Sequence, residues 1–208
     1  MIKKIGDTCL TALIRFAYFI WACATHIIYL PKITYLDKQS KEKLKKPCIL
    51  IANHTSHTDG SFIPQIFPGK KINVLVTTKW YNKKYLNVFF SHLRYIPINL
   101  NEVDNSWMER AQKVLEKGET ILIFPEGKLS KDGNVGEFLP GFLLLARHTD
   151  VPVIPLAIKG GYKKFSRQQV IVGSEIAFDV HAKGRPSAIL KEGAIVCRKQ
   201  IVDMLANE

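Results

Sequence analysis

Five short apolar runs, separated by stretches of helical character, leave this chain few folds to choose from. CILIA (48–52), INVLVT (72–77), YIPIN (95–99), TILIF (120–124) and VPVIPLAI (151–158) each have the length and β-branched content of a buried strand. SFIPQIF follows the first, YNKKYLNVFFSHL the second and SWMERAQKVLEKG (106–118) the third, where Gly118 supplies a helix stop. GFLLLARHT (141–149) precedes the fifth run, and an amphipathic helix is expected over about 187–206, weakened by Gly193. Strands alternating with helices imply a largely parallel sheet flanked by helices on both faces. With 208 residues and no internal repeat, the expectation is one α/β domain over 47–208, preceded by an N-terminal helical segment over 1–46. In such sheets chemistry gathers in the loops just beyond the carboxyl ends of the strands.

The N-terminal segment has a different character. Leu10–Leu30 is a 21-residue apolar stretch, about 31 Å as a helix and close to the hydrocarbon thickness of a bilayer. Arg15 interrupts the apolar core that a secretory signal needs, and Arg15 and His26 are costly at a membrane centre. Lys4, Thr8, Thr11, Arg15, Tyr18, Ala22, Thr25 and Tyr29 recur every three or four residues as a weakly polar stripe. Such a stripe suits a helix lying in the membrane interface with Arg15 reaching headgroups, and Lys3, Lys4, Lys32 and Lys38 would add attraction to anionic lipid. A buried core helix is the alternative. Residues 38–46 (KQSKEKLKK) are either a solvated connector or a basic collar at the membrane surface.

Composition narrows the partners. Thirty Lys+Arg against eighteen Asp+Glu, a net +12, call for an anionic partner or surface. Nucleic acid is disfavoured because the lysines are scattered and no recognition motif accompanies them. Cys9, Cys23, Cys48 and Cys197 form no C-x-x-C pair, so they suggest neither a disulfide framework nor a zinc site, and they suit a reducing compartment with buried thiols.

Two loops carry the candidate chemistry. After the first run comes Asn53-His54-Thr55-Ser56-His57-Thr58-Asp59-Gly60, in which Asp59 could orient His54 as a base. No G-x-S-x-G elbow supplies a serine nucleophile, so the attacking group would be the substrate's own hydroxyl. A binuclear metal run in register with His57 and Asp59 needs histidine where Thr55 and Gly60 stand. Polar capping of the next helix is the structural alternative. After the fourth run comes Pro125-Glu126-Gly127-Lys128-Leu129-Ser130-Lys131, a turn whose amides and cations would suit a phosphate. Glu126 could lock this loop through backbone amides or touch an acceptor hydroxyl, and an ordinary surface connection is the alternative.

Taken together, NHTSHTD, IFPEGKLS and VPVIPLAI resemble the N-H-x(4)-D, F-P-E-G-x-x-S and V-P-V-x-P blocks of glycerolipid acyltransferases of the 1-acylglycerol-3-phosphate type, over roughly residues 45–175. The resemblance implies His54 as general base and Asp59 as its partner, with Phe124, Pro125, Glu126, Gly127, Lys128 and Ser130 forming the acceptor site. It implies an acyl-CoA or acyl carrier protein donor, a lysophospholipid acceptor, no metal or other cofactor, and attachment to the cytoplasmic side of a membrane. A non-catalytic peripheral protein that recognises anionic lipid is the alternative. The chain departs from the family pattern at Leu100 and Leu139, where basic residues are usual. Both departures predict an altered acceptor preference unless Arg94 swings in to replace the missing charge.

Overall fold

The computed structural model describes residues 2–100, 106–130 and 133–206; Asn101 and Lys131, and the side chains of Lys3 and Lys4, lie outside the described residues. The five apolar runs form β2 (Ile49–Ala52), β3 (Ile72–Thr77), β4 (Tyr95–Ile98), β5 (Thr120–Ile123) and β6 (Val153–Lys159), all parallel. Two further strands, β1 (Lys32–Tyr35) and β7 (Gln169–Val172), stand outside those runs. They complete a seven-stranded sheet in the order β1-β7-β6-β2-β5-β3-β4. β7 pairs antiparallel with β6 and β1 pairs parallel with β7, so this outer pair runs against the other five. The sheet thus draws its edge strand from within residues 1–46.

The strand period sorts the core. Ile49 and Ile51 face a cluster closed by α6 (Ser106–Glu116), α7 (Gly141–Thr149) and α8 (Pro186–Ala206). Leu50 and Ala52 face the other side, where Phe62, Ile63 and Ile66 of α3 (Asp59–Ile66) pack. All four strand residues are fully buried, which is why the run is apolar throughout rather than alternating.

The basic run at 38–46 is largely a short helix, α2 (Lys38–Lys43), whose N-cap Asp37 accepts from the Ser40 amide. The hydroxyls of Ser174 and Ser40 hold the Asp37 carboxyl down to about 2. Lys43 pairs with Glu175 and Lys45 with Glu42, so the run is partly spent on local ion pairs.

Along the N-terminal helix α1 (Ile2–Tyr29) the polar stripe divides: Thr8 and Arg15 are exposed, as a helix in the membrane interface would have them, whereas Tyr18, Ala22, Thr25 and Tyr29 turn towards the protein. Tyr18 donates to the Ser61 carbonyl at 2.9 Å and Thr25 to Gln65 Oε1 at 2.7 Å, both on α3. The Tyr18 ring also meets Phe89 of α5 (Lys84–His92). Hydroxyls removed from water need partners, and α3 supplies them, so the C-terminal half of the stripe faces the protein. Leu13, Phe16, Phe19, Ile20 and Ile27 are left exposed on the outer face. The expectation of buried thiols is met at Cys48 and Cys197 and overturned at Cys9 and Cys23, which lie exposed on this helix. Asp7–Tyr29 is long and apolar enough to cross a membrane. Because β1 and β7 are reversed, the end of α1 and the β6–β7 connection both arrive at the edge where β2 and β5 end.

Candidate active site

His54 leaves the end of β2 and its Nδ1 lies 2.9 Å from Asp59 Oδ2, at the first turn of α3. Asp59 is fully buried, and the loop wraps around its carboxylate. Oδ2 also accepts from the amides of Thr55 (2.7 Å) and Ser56 (2.8 Å), while Oδ1 accepts from the Thr55 hydroxyl (3.3 Å) and the Tyr162 hydroxyl (2.6 Å). A carboxylate gripped by this many donors is fixed in place, and with Oδ2 facing Nδ1 the arrangement favours the tautomer whose proton is on Nδ1, which turns the Nε2 lone pair outward. Among the described residues no hydrogen bond reaches Nε2. His57 is elsewhere occupied, with its ring centroid 4.5 Å from that of Trp80.

The second loop is tied to the first by its own residues. Phe124 stacks on the His54 ring, centroids 4.2 Å apart and planes 19° from parallel. Glu126 is buried, and its carboxylate accepts from the His54 amide at 2.9 Å and the Gly136 amide at 2.8 Å. Glu126 therefore ties the His54 loop to the β5–α7 connection and pins two parts of that connection together through backbone amides. The Ser130 amide donates to the His54 carbonyl at 2.9 Å, and its hydroxyl to the Asn134 carbonyl at 2.8 Å. The Pro125 carbonyl accepts from the Leu139 amide, and Gly127 takes a left-handed φ of 66° to close the turn.

A cavity of about 880 Å³ opens at His54 and runs between the β3–β4 part of the sheet and helices α1 and α5. Its deep walls include Tyr18, Trp21, Phe89, Phe90 and Val74, and its size fits the range for bound small molecules. Lys128 is the one lysine or arginine among the described lining residues. Leu100 and Leu139 crowd Gly127: a Cβ added there would lie 3.0 and 3.1 Å from their Cδ1 atoms. Arg94, the alternative source of charge, is turned away from the cavity. Arg94 donates to Glu119 at 2.6 Å, at the amino ends of β4 and β5, a full strand or about 13 Å from the cavity's polar mouth.

The acyltransferase family profile matches residues 32–159, more than half of the chain. The chain belongs to the acyltransferase family. A 1-acyl-sn-glycerol-3-phosphate acyltransferase of Limnanthes douglasii is 31% identical over 124 residues, which is 59% of this chain and 44% of the relative. A probable 1-acyl-sn-glycerol-3-phosphate acyltransferase of Mycoplasma genitalium is 27% identical over 66% of this chain and 53% of its own length. The chain thus spans about half the length of these curated relatives. The crystal structure of the 1-acyl-sn-glycerophosphate (LPA) acyltransferase PlsC of Thermotoga maritima shares the fold, with a TM-score of 0.59 over 97% of both chains at 19% identity.

The structure also places residues that the motifs did not single out for a role. Asn53 uses its side chain as a surrogate peptide: it donates to the Ile158 carbonyl at 3.0 Å and accepts from the Ile158 amide at 2.7 Å. That pair continues the β2–β6 ladder one step past its end and fixes where His54 emerges. An asparagine at a strand end, carrying both a donor and an acceptor, was the available signal. Arg198 of α8 donates to the carbonyls of Val135 and Gly136, bracing the strand of loop that Glu126 grips. Nothing local in the sequence connects Arg198, or Tyr162, to the histidine.

Proposed function

We propose that this chain transfers a fatty acyl group from a coenzyme A or acyl carrier protein thioester to a hydroxyl of a lysophospholipid such as 1-acylglycerol-3-phosphate. One observation carries the reading: His54 has Nδ1 committed to a buried carboxylate and Nε2 free at the mouth of a long apolar cavity. Nε2 takes the proton of the acceptor hydroxyl as its oxygen attacks the thioester carbonyl. The tetrahedral adduct collapses to the ester, the carbon–sulfur bond breaks, and the imidazolium returns its proton to the departing thiolate. Asp59 holds the tautomer and supports the transient positive charge. Phe124, Pro125, Glu126, Gly127 and Ser130 shape the acceptor site, and Lys128 supplies its positive charge. This chemistry asks for no metal or other cofactor.

The same reading places the protein on a membrane. The uncovered apolar face of α1 supplies the attachment, and exposed Lys32 and Lys38 suit anionic headgroups. The exposed free thiols of Cys9 and Cys23 suit the reducing, cytoplasmic side. With leucine at 100 and 139 and Arg94 engaged elsewhere, the site has little to enforce a phosphate monoester, which is normally gripped by bidentate arginine.

The test uses the full chain in mixed micelles, with thiol release from acyl-CoA and acyl carrier protein donors and two acceptors at equal concentration. Lysophosphatidate and a lysophospholipid with a larger headgroup should be acylated within about tenfold of each other, a gap of roughly 1.4 kcal/mol. A much stronger preference for the phosphate monoester would overturn the relaxed acceptor choice. Vesicle binding without thioester consumption would instead leave the protein as a lipid-recognition module, the reading that the uncovered face of α1 supports by itself.

A further inference from the structure

Four of the five donors to Asp59 come from its own loop; the fifth and shortest, the Tyr162 hydroxyl at 2.6 Å, comes from 103 residues away in the β6–β7 connection. The Tyr162 ring stands edge-on between Tyr29 at the end of α1 (5.1 Å, 84°) and Phe62 of α3 (5.4 Å, 85°). Its backbone holds a left-handed φ of 44°, unusual for a bulky residue. That conformation is kept by buried Gln168, which accepts from the Tyr162 amide at 3.1 Å and donates to the Lys159 carbonyl at 2.9 Å. The connection is also pinned to α1, through Phe165 N to the Ile28 carbonyl and Gln168 N to the Tyr29 carbonyl. A strained aromatic residue held by this many contacts and aimed at a buried carboxylate is a reason to look for a role in function.

We propose that Tyr162 is a positioning residue of the acyl transfer: its hydroxyl fixes the Asp59 carboxylate that in turn fixes His54. The proposal rests on His54 acting as the base. Burial, and then the neighbouring Asp59 charge, push the Tyr162 phenol well above its ordinary range, so the group is always a donor to Asp59. Its bond holds Oδ1 and leaves Oδ2 square to His54 Nδ1. It also draws charge towards Oδ1, which limits how strongly the carboxylate favours an imidazolium. The other ionisable groups around the pair are His57 on the same loop, Glu126 and Lys128 on the second loop and Tyr29 on α1; Glu126 is committed to the His54 and Gly136 amides.

The test is Tyr162→Phe in the full chain, which removes one oxygen and keeps the ring between Tyr29 and Phe62. The expected result is a kcat reduced by about 5- to 30-fold, the loss of one charge-assisted hydrogen bond, with KM for both substrates within about twofold. The acid limb of kcat/KM should move to higher pH, because the phenol no longer draws charge from the oxygen facing Nδ1. In an Asp59→Asn background the same substitution should lower kcat by less than about twofold, since it acts through the carboxylate. An equal loss in both backgrounds with an unmoved acid limb would reduce Tyr162 to packing and overturn the proposal, as would wild-type kcat in Tyr162→Phe. If His54→Ala keeps wild-type turnover, the base assignment itself has failed and takes the proposal with it.

Discussion

His54 and His57 stand three residues apart in one loop, yet the proposed mechanism asks only the first to move a proton. His54 has a buried orienter, a stacked aromatic face and an open Nε2. His57 rests against Trp80, whose other close neighbour is the Lys83 ammonium at 3.6 Å from its ring centroid. His54→Ala should therefore lower turnover by roughly 10²–10⁴-fold while leaving Tm nearly unchanged, and His57→Ala should cost less than about tenfold. Steady-state thiol release from matched preparations checks both, and comparable losses from the two would contradict the division of roles. Spacing alone could not separate these histidines. It placed His54 and Asp59 five apart, within reach across the start of a helix, but the contact of His57 with Trp80 depends on how α4 (Thr78–Tyr81) docks.

At the scale of elements, α8 shows local propensity losing to packing. Gly193 lowers helix propensity, but a Cβ there would come within 2.5 Å of Phe178 Cε1 and 2.7 Å of Leu143 Cδ1. Replacing it with alanine gains about 1 kcal/mol of propensity and meets an overpacking penalty of roughly 1–3 kcal/mol. Gly193→Ala should then lower Tm by a few degrees in a thermal melt; a rise would mean that Phe178 yields freely. Asp37 offers an acid-side test. Its folded carboxyl sits at about 2, so its contribution is fully present above the ordinary carboxylate range and lost as pH falls through about 2. Asp37→Ala should cost about 1 kcal/mol at neutral pH by removing the α2 cap, and denaturant curves of variant and wild type should converge towards pH 2. The five parallel strands and the helices between them were legible because apolar runs of strand length alternate with helical stretches, most clearly in β2, β5 and β6, which are buried on both faces. β1 and β7 were not: KITY is a four-residue stretch opening on a lysine directly after a long helix and Pro31, and QVIV is only four residues long after a polar loop, so neither has the length or apolar content that marked the other strands. The two loops that meet around His54 were readable from their motifs, and Asn53 at a strand end left a signal of its own, whereas Tyr162 and Arg198 act through long-range contacts that only the folded chain creates.

For the molecule as a whole, α1 is both a wall of the cavity and its greasiest outer surface. A chain beginning at Lys32 should partition less into vesicles and aggregate through the uncovered cavity, which co-sedimentation and light scattering would register. Detergent, rather than salt alone, should release the full chain from membranes, because the apolar face supplies most of the attachment. The reversal of β1 and β7 then has a kinetic meaning. It brings the end of α1 to the rim of the sheet where the β6–β7 connection and the His54 loop lie, so on the proposed reading a bilayer held by α1 would lie alongside the opening of the site. An acceptor would then reach the opening by lateral travel within one leaflet, a two-dimensional search, and the product would depart the same way without crossing water. Under those conditions the rate follows the mole fraction of acceptor in the surface rather than its molarity, and adding inert lipid slows the reaction even when every bulk concentration stays the same.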